Sequence, residues 1–209
     1  MTYKIGIIGS GNIGGGLGKH FANAGHAVMF SSRNPQELQP LAEQAGPNAQ
    51  VGTVEEAAQF GEVLLLAYPF GKTPEVAKQV ADPAGKVLID ANNYYPGRDG
   101  QEPGEEMEEK GLLESEWTAS YFPGAHVAKA FNSIPAKTLA DRAFSEGVPL
   151  AVPFGAADQK AKEVLEAILA SIGFVGVYLG DLSQTKISQP DEKLYGKQES
   201  EEGIRKLIG

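Results

Sequence analysis

A glycine-rich turn between two apolar runs constrains this chain more than any other feature. Residues 9–14 read GSGNIG and fit the pattern G-x-G-x-x-G. They follow an apolar run at residues 5–8 and precede a helical pattern in which Leu17 and Phe21 lie four positions apart. Strand, glycine turn, helix and second strand, in that order, are typical of a dinucleotide-binding unit, so we predict a doubly wound α/β fold.

Each of the three glycines has a physical reason to lack a side chain. Gly9 allows the sharp turn out of the strand, Gly11 lets the backbone approach a diphosphate, and Gly14 lets the helix lie close to the strand. The amino end of the helix then offers free N–H groups and the positive end of its dipole to the phosphates.

The residues after the second strand indicate which dinucleotide binds. An NAD site usually has an acidic residue about twenty positions after the glycines, whereas residues 31–35 read SSRNP. Hydroxyl groups and the Arg33 guanidinium suit a 2′-phosphate, so we predict NADP as the cofactor. An alternative is that Ser31, Ser32 and Asn34 only cap the next helix, with Pro35 as its first residue; both roles are compatible.

Composition sets the remaining bounds. The 209 residues predict one Rossmann-type domain at 1–182 with a mostly parallel sheet, and a short polar tail at 183–209 that packs on the domain or on a partner subunit. The net charge of −9 argues against a nucleic-acid or membrane partner. The chain lacks cysteine, a bilayer-spanning run and a signal peptide before the first strand, so we expect a cytoplasmic protein.

The rest of the chain alternates strand and helix signals. Predicted strands lie near 50–51 and at 62–68, 86–90, 127–131, 150–154 and 174–179. A capping box at Thr53 opens one predicted helix, Thr73 is predicted to cap another, and residues 158–172 form a third. The glutamate-rich stretch 97–116 is interpreted as a solvated, partly helical loop, and the tail from Gly180 should contribute little to the core.

Few residues suggest acid–base or metal chemistry. The three histidines, His20, His26 and His126, are scattered without metal-ligand spacing, and no G-x-S-x-G motif occurs. We therefore predict no metal site and no catalytic side chain. A hydride passed between two planar cofactors needs stacked rings rather than a general base, and this sequence fits such a reaction.

Several segments together resemble a known family, the F420-dependent NADP oxidoreductases, and the related NADPH-binding domain of STEAP-type metalloreductases. The glycine turn at 9–14 resembles the family's turn, and residues 31–35 resemble its 2′-phosphate loop. Residues 91–93 (ANN), 129–136 (KAFNSIPA) and 180–182 (GDL) extend the resemblance to about residues 4–183. The resemblance implies that Ala130, Asn132 and residues 134–135 border the nicotinamide, where the acceptor ring stacks.

These inferences define a predicted cofactor site and three hypotheses. The predicted cofactor-binding residues are Gly9, Ser10, Gly11, Asn12, Ile13, Ser31, Ser32, Arg33, Asn34, Ala67, Tyr68, Pro69, Asn92, Ala130 and Asn132. The first hypothesis is an NADPH-dependent oxidoreductase that transfers a hydride to a small-molecule acceptor, a flavin or a deazaflavin such as F420, and that forms a homodimer. The second is a reductase of a small carbonyl or imine compound with Tyr68, Tyr94 or Tyr95 as proton donor. The third is a non-enzymatic NADP(H) redox sensor.

Overall fold

Eight strands form a single sheet in the computed structural model, which describes residues 1–209. The strands are β1 (Lys4–Ile8), β2 (Ala27–Ser31), β3 (Ala49–Gly52), β4 (Val63–Leu66), β5 (Val87–Asp90), β6 (His126–Lys129), β7 (Ala151–Ala156) and β8 (Val175–Gly180). Their order in the sheet is β3-β2-β1-β4-β5-β6-β7-β8. Only the β6–β7 pairing is antiparallel, so the predicted mostly parallel sheet is confirmed.

Ten α-helices connect the strands. They are α1 (Asn12–Asn23), α2 (Gln39–Ala45), α3 (Val54–Phe60), α4 (Thr73–Gln79), α5 (Pro96–Asp99), α6 (Glu102–Lys110), α7 (Glu114–Ser120), α8 (Ala136–Arg142), α9 (Gln159–Ser171) and α10 (Glu201–Ile208). Short 3-10 helices span Pro35–Leu38, Phe70–Lys72 and Leu182–Ser188. None of these helices combines the length and the apolar character needed to cross a bilayer.

Both faces of the sheet are covered, as in a doubly wound fold. In β4, Val63 and Leu65 join one hydrophobic cluster, whereas Leu64 and Leu66 join a second. Successive side chains of a strand point to opposite faces, so a strand that is apolar throughout must be buried on both. The predicted single Rossmann-type α/β domain is therefore confirmed.

The strand order reverses between β1 and β4, and this reversal indicates where a ligand site is expected. β2 lies beside β1 on one side, and β4 lies beside it on the other. The carboxyl ends of β1 and β4 thus flank the topological switch point, where open parallel sheets bind their ligands. The glycine turn follows β1 and residues 67–69 follow β4, so both segments reach that crevice.

Local signals explain several helix boundaries, and one prediction fails. The Thr53 hydroxyl accepts from the Glu56 N–H while the Glu56 carboxylate accepts from the Thr53 N–H, which is the predicted capping box of α3. The Asp158 carboxylate caps α9 through a single bond, which it accepts from the Ala161 N–H. The predicted cap at Thr73 is wrong, because its hydroxyl donates to the Phe70 carbonyl and the residue already lies inside α4.

The glutamate-rich stretch is more ordered than the sequence indicated. It forms α6 and leads into α7, and the Glu106 carboxylate accepts hydrogen bonds from the Trp117 indole and the Tyr121 hydroxyl, both at 2.8 Å. Glu114 is buried. The interpretation as a solvated loop is therefore wrong for Glu114, which is buried beside Lys129, and incomplete for the partly exposed Glu106, which accepts bonds from two aromatic side chains.

The tail contributes to a small third core. Leu194 and Ile204 are fully buried against Ala151 of β7 and Val177 of β8. The expectation of little core contribution is wrong, because these two apolar side chains face the sheet while the charged residues of α10 face outward.

Candidate functional site

The glycine turn has the geometry that its sequence predicts. Gly9 adopts φ +95°, and a Cβ at this position would lie 2.4 Å from the Ala67 carbonyl oxygen. A Cβ on Gly14 would lie 2.0 Å from the Gly9 carbonyl oxygen, so α1 can pack on β1 only without that atom. By contrast, nothing lies within 4 Å of a Cβ built on Gly11. Gly11 therefore borders open space at the amino end of α1.

The amino end of α1 suits an anion. Gly11 occupies the N-cap position and offers no side chain to the first N–H groups, and the first turn contains no acidic residue. Free N–H groups and the positive end of the helix dipole both favour a phosphate at this point. The turn, with its open space at Gly11, thus fits the diphosphate of a dinucleotide.

A cavity of about 310 Å³ lies beside the turn, between the ends of β1, β2 and β4. Among the predicted residues, those that line it are Gly9, Ser10, Ser31, Ser32, Arg33, Tyr68 and Pro69. Residues of α4 also line it, and Asn34 is not part of the lining. Arg33 is exposed and takes part in no ion pair, so its guanidinium is available for an anionic ligand.

The hydroxyl groups of the 31–34 segment differ in their surroundings. Ser31 is fully buried, and its hydroxyl donates to the Ile7 carbonyl at 2.7 Å. The Ser32 hydroxyl accepts from the Asn34 N–H at 3.1 Å, and the Asn34 amide donates to the Glu37 carboxylate. Ser31 therefore joins β2 to β1, whereas Ser32 keeps a hydroxyl proton for a ligand.

A second cavity, of about 350 Å³, lies on the other side of the turn. The predicted residues that line it are Gly11, Asn12, Ile13, Ala67, Tyr68, Pro69, Asn92 and Asn132. Tyr68 and Pro69 border both cavities. Ala130 does not line this space; it is fully buried in the main core, behind the cavity wall.

Two asparagine amides leave one unused donor and one unused acceptor at this second cavity. The Asn92 Oδ1 accepts from the Tyr68 N–H at 2.9 Å, but its buried Nδ2 has no partner. The Asn132 Nδ2 donates to Asn93 Oδ1 and to the Ser188 carbonyl, while its buried Oδ1 has no partner. Buried polar atoms are rarely left unpaired, and this donor and acceptor match the two groups of a carboxamide.

A buried charged cluster, Asp90–Lys129–Glu114, lies behind Asn92, and the sequence interpretation missed it. The Lys129 ammonium donates to Asp90 Oδ2 at 3.0 Å and to the Asn92 carbonyl oxygen, while Asp90 Oδ1 accepts from the Asn92 N–H at 3.0 Å. The Glu114 carboxylate lies 3.9 Å from the Lys129 ammonium, and burial raises the pKa of Glu114. The cluster therefore holds the Asn92 backbone at both its N–H and its carbonyl.

The three candidate tyrosines have separate environments. The Tyr68 hydroxyl is buried without a partner, and burial raises its pKa. The Tyr94 hydroxyl donates to the Gly100 carbonyl at 2.8 Å and does not line the second cavity. Tyr95 does line it, and its hydroxyl lies 2.5 Å from that of Tyr195. Burial, with a contribution from Tyr195, raises the pKa of Tyr95 to about 12.

Comparisons with known proteins support the family resemblance. Residues 4–94 match a family model described as NADP oxidoreductase, coenzyme F420-dependent. The metalloreductase STEAP3 of Rattus norvegicus is 29% identical over 184 residues, which cover 88% of this chain and 35% of the rat protein. The chain thus spans about a third of the length of that curated relative. The resemblance inferred from the sequence is confirmed.

Solved structures agree with the fold. The hypothetical protein SMa0349 of Sinorhizobium meliloti has a TM-score of 0.83 and 27% identity, with 96% of each chain covered. A protein of Arthrobacter sp. FB24, described as a candidate F420-dependent NADP reductase, has a TM-score of 0.68 and 21% identity, covering 99% of this chain and 90% of its own. Both are of similar size to this chain, so the likeness extends over the whole domain.

Proposed function

We propose that this chain, whose residues 4–94 match the F420-dependent NADP oxidoreductase family, is an NADP-dependent oxidoreductase that transfers a hydride between NADP(H) and a flavin or a deazaflavin such as F420. One observation carries the proposal. Two cavities meet at Tyr68 and Pro69 across the switch point of the sheet, one bordered by Arg33 and the other by Asn92 and Asn132. Such a groove accommodates a dinucleotide, with one nucleotide in each cavity.

The residues that would hold each part of the cofactor follow from their chemistry. The turn at residues 9–13 would bind the diphosphate through backbone N–H groups. Ser32, Arg33 and Asn34 would bind the 2′-phosphate, because hydroxyl, guanidinium and amide groups all donate to phosphate oxygens. Asn92 and Asn132 would bind the nicotinamide carboxamide through the unpaired Nδ2 and Oδ1. Ser31 also lines the first cavity, although its hydroxyl donates to the Ile7 carbonyl, and we propose no direct contact for Ala130, which is fully buried and lines neither cavity.

The lining of the second cavity suits hydride transfer between rings. No aspartate, glutamate, histidine or lysine lines it, and Ile13, Ile134 and Pro135 supply apolar contacts. Bound in this groove, NADPH would supply a hydride and be left as NADP⁺, and the reduced acceptor ring would take one proton from solvent. The chain's own contribution is to hold the two rings at reacting distance and to exclude water.

The direct experiment follows NADPH oxidation by purified protein at 340 nm with F420, FMN and FAD in turn. We expect turnover with at least one of the three and a strong preference for NADPH over NADH. If NADPH binds but is oxidised by none of them, the choice of acceptor class is wrong.

Reduction of a small carbonyl or imine compound is a second candidate, and the position of Tyr95 favours it. Its hydroxyl lies at the second cavity, where it could donate a proton to a substrate oxygen or nitrogen. The Tyr95→Phe variant distinguishes the two candidates. Ketone or imine reduction should lose kcat together with its proton donor, whereas hydride transfer to a flavin should keep its kcat and change in KM alone.

A further inference from the structure

The carboxy-terminal segment 189–197 supplies part of the wall of the second cavity. Tyr195 lines this cavity, although it lies 100 positions after Tyr95 in the chain. The Gly196 N–H donates to the Ser133 carbonyl at 2.8 Å, and the neighbouring Leu194 is fully buried. The segment is thus fixed on the loop that follows β6, and Tyr195, which is 38% exposed, lies at the rim of the cavity.

The Tyr95–Tyr195 pair presents a hydrogen-bond donor. Its two hydroxyl oxygens are 2.5 Å apart, so one hydroxyl donates to the other. The accepting hydroxyl keeps its own proton, which can be donated to a third group. A ring carbonyl oxygen of a ligand in the cavity is the natural acceptor for it.

Arg98 adds the only charged side chain among the residues that line the cavity. Its Nε and Nη2 donate to the Asp99 carboxylate and Nη2 also donates to the Asn93 carbonyl, while its guanidinium carbon lies 4.9 Å from the centre of the Tyr95 ring. The Arg98 side chain is 45% exposed, and its Nη1 takes part in none of these contacts. Asp99 offsets part of the Arg98 charge, but no carboxylate lines the cavity itself, so Arg98 Nη1 is the charged donor available to an anionic group there.

We propose that Tyr95, Tyr195 and Arg98 form the binding subsite for the electron acceptor, and that they select a planar ring with carbonyl oxygens and an acidic side chain. This inference rests on the proposed function, since it places the acceptor beside the nicotinamide. The tyrosine pair binds the ring carbonyl and its apolar edge, and Arg98 binds the phosphate or carboxylate of the side chain. The carboxy-terminal segment is thereby part of the site.

The test measures acceptor binding directly, in protein saturated with NADP⁺. FMN, riboflavin and F420 are titrated by fluorescence, and NADPH affinity is measured separately for every variant. We expect Tyr195→Phe to weaken FMN or F420 binding by about three- to tenfold, the loss expected for one neutral hydrogen bond. The matched control is Tyr178→Phe, since Tyr178 is 40% exposed on β8 and does not line the cavity.

A comparison of two ligands tests the role of the Arg98 charge. FMN and riboflavin share one ring but only FMN carries a phosphate, so wild-type protein should prefer FMN, and Arg98→Gln should remove that preference. NADPH affinity should remain unchanged in all these variants.

Three results would overturn the inference. In the first, Tyr195→Phe binds the acceptor as tightly as wild type does. In the second, a variant loses NADPH affinity and acceptor affinity equally. In the third, wild-type protein binds NADPH but neither FMN nor F420. If instead the proposed function is wrong, wild-type protein will not bind NADPH at all.

Discussion

Lys129 Nζ lies 3.0 Å from Oδ2 of Asp90, and both side chains are completely buried. The two residues are direct partners in the register of β5 and β6, so the pair joins neighbouring strands at the edge where the proposed cofactor groove lies. Both also bind the backbone of Asn92. The pair therefore fixes the position of an amide that we assign to the nicotinamide.

Removing the ammonium should destabilise the protein strongly. Lys129→Met leaves the Asp90 carboxylate buried without its partner, a change that usually costs about 3–5 kcal/mol. We expect the free energy of unfolding in urea to fall by that amount. Lys162→Met is the control: Lys162 pairs with Glu166 at the surface of α9, and its loss should cost less than about 1 kcal/mol. Equal effects of the two substitutions would contradict the assigned role.

The buried Glu114 carboxyl should make stability depend on pH. Its pKa is raised in the folded protein by burial, so its stabilising contribution is complete below the ordinary value of 4.5 and is lost as the pH rises through the folded pKa. Glu114→Gln removes this titration. We therefore expect the variant to gain stability relative to wild type as the pH rises from 4 to 7, measured by urea unfolding at each pH. A difference that stays constant or reverses would refute the assignment.

The glycine turn offers a test that separates binding from folding. Gly11→Ala places a methyl group in the open space where we put the diphosphate, so the protein should fold normally but bind NADPH about tenfold or more weakly, a loss of about 1.4 kcal/mol. Gly16→Ala also meets nothing within 4 Å, but one turn further along α1, and should bind normally. Calorimetric titration of both variants checks this. Equal affinities would argue against a diphosphate at the turn.

A substitution of Asn92 tests the proposed contact with the nicotinamide carboxamide. Asn92→Asp keeps the oxygen that accepts from the Tyr68 N–H and removes the unpaired Nδ2 donor. NADPH affinity should fall by about 1–3 kcal/mol, since the carboxamide oxygen loses its donor. Gln44→Glu, at an exposed position of α2, controls for the added charge. Unchanged affinity in Asn92→Asp would place the nicotinamide elsewhere.

Much of the proposed NADP-binding part of the site could be predicted, because its sequence signals are local. The turn at residues 9–14 and the capping box at Thr53 each depend on residues a few positions apart, and the structure has both. Asp90 and Lys129 were also within reach, since Asp90 ends one predicted strand and Lys129 lies within another, and a parallel sheet places these strands side by side. The homodimer and the cytoplasmic location stay predictions.

The proposed binding subsite for the electron acceptor could not be predicted in the same way. The contact between Tyr95 and Tyr195 joins residues 100 positions apart, and no periodic pattern encodes it. The Glu106 bonds to Trp117 and Tyr121 were hidden because a run of glutamates usually faces water. Ser31 lines the first cavity, but the sequence does not reveal that its hydroxyl donates to the Ile7 carbonyl of the neighbouring strand.

The most direct measurement is the affinity of wild-type protein and of Arg33→Ala for NADPH and NADH by calorimetry. We expect wild type to prefer NADPH, and Arg33→Ala to lose about 1.5–3 kcal/mol toward NADPH, the range for a hydrogen bond to a charged group, with little change toward NADH. Equal losses toward both coenzymes, or no preference in wild type, would contradict the assignment of Arg33 to the 2′-phosphate.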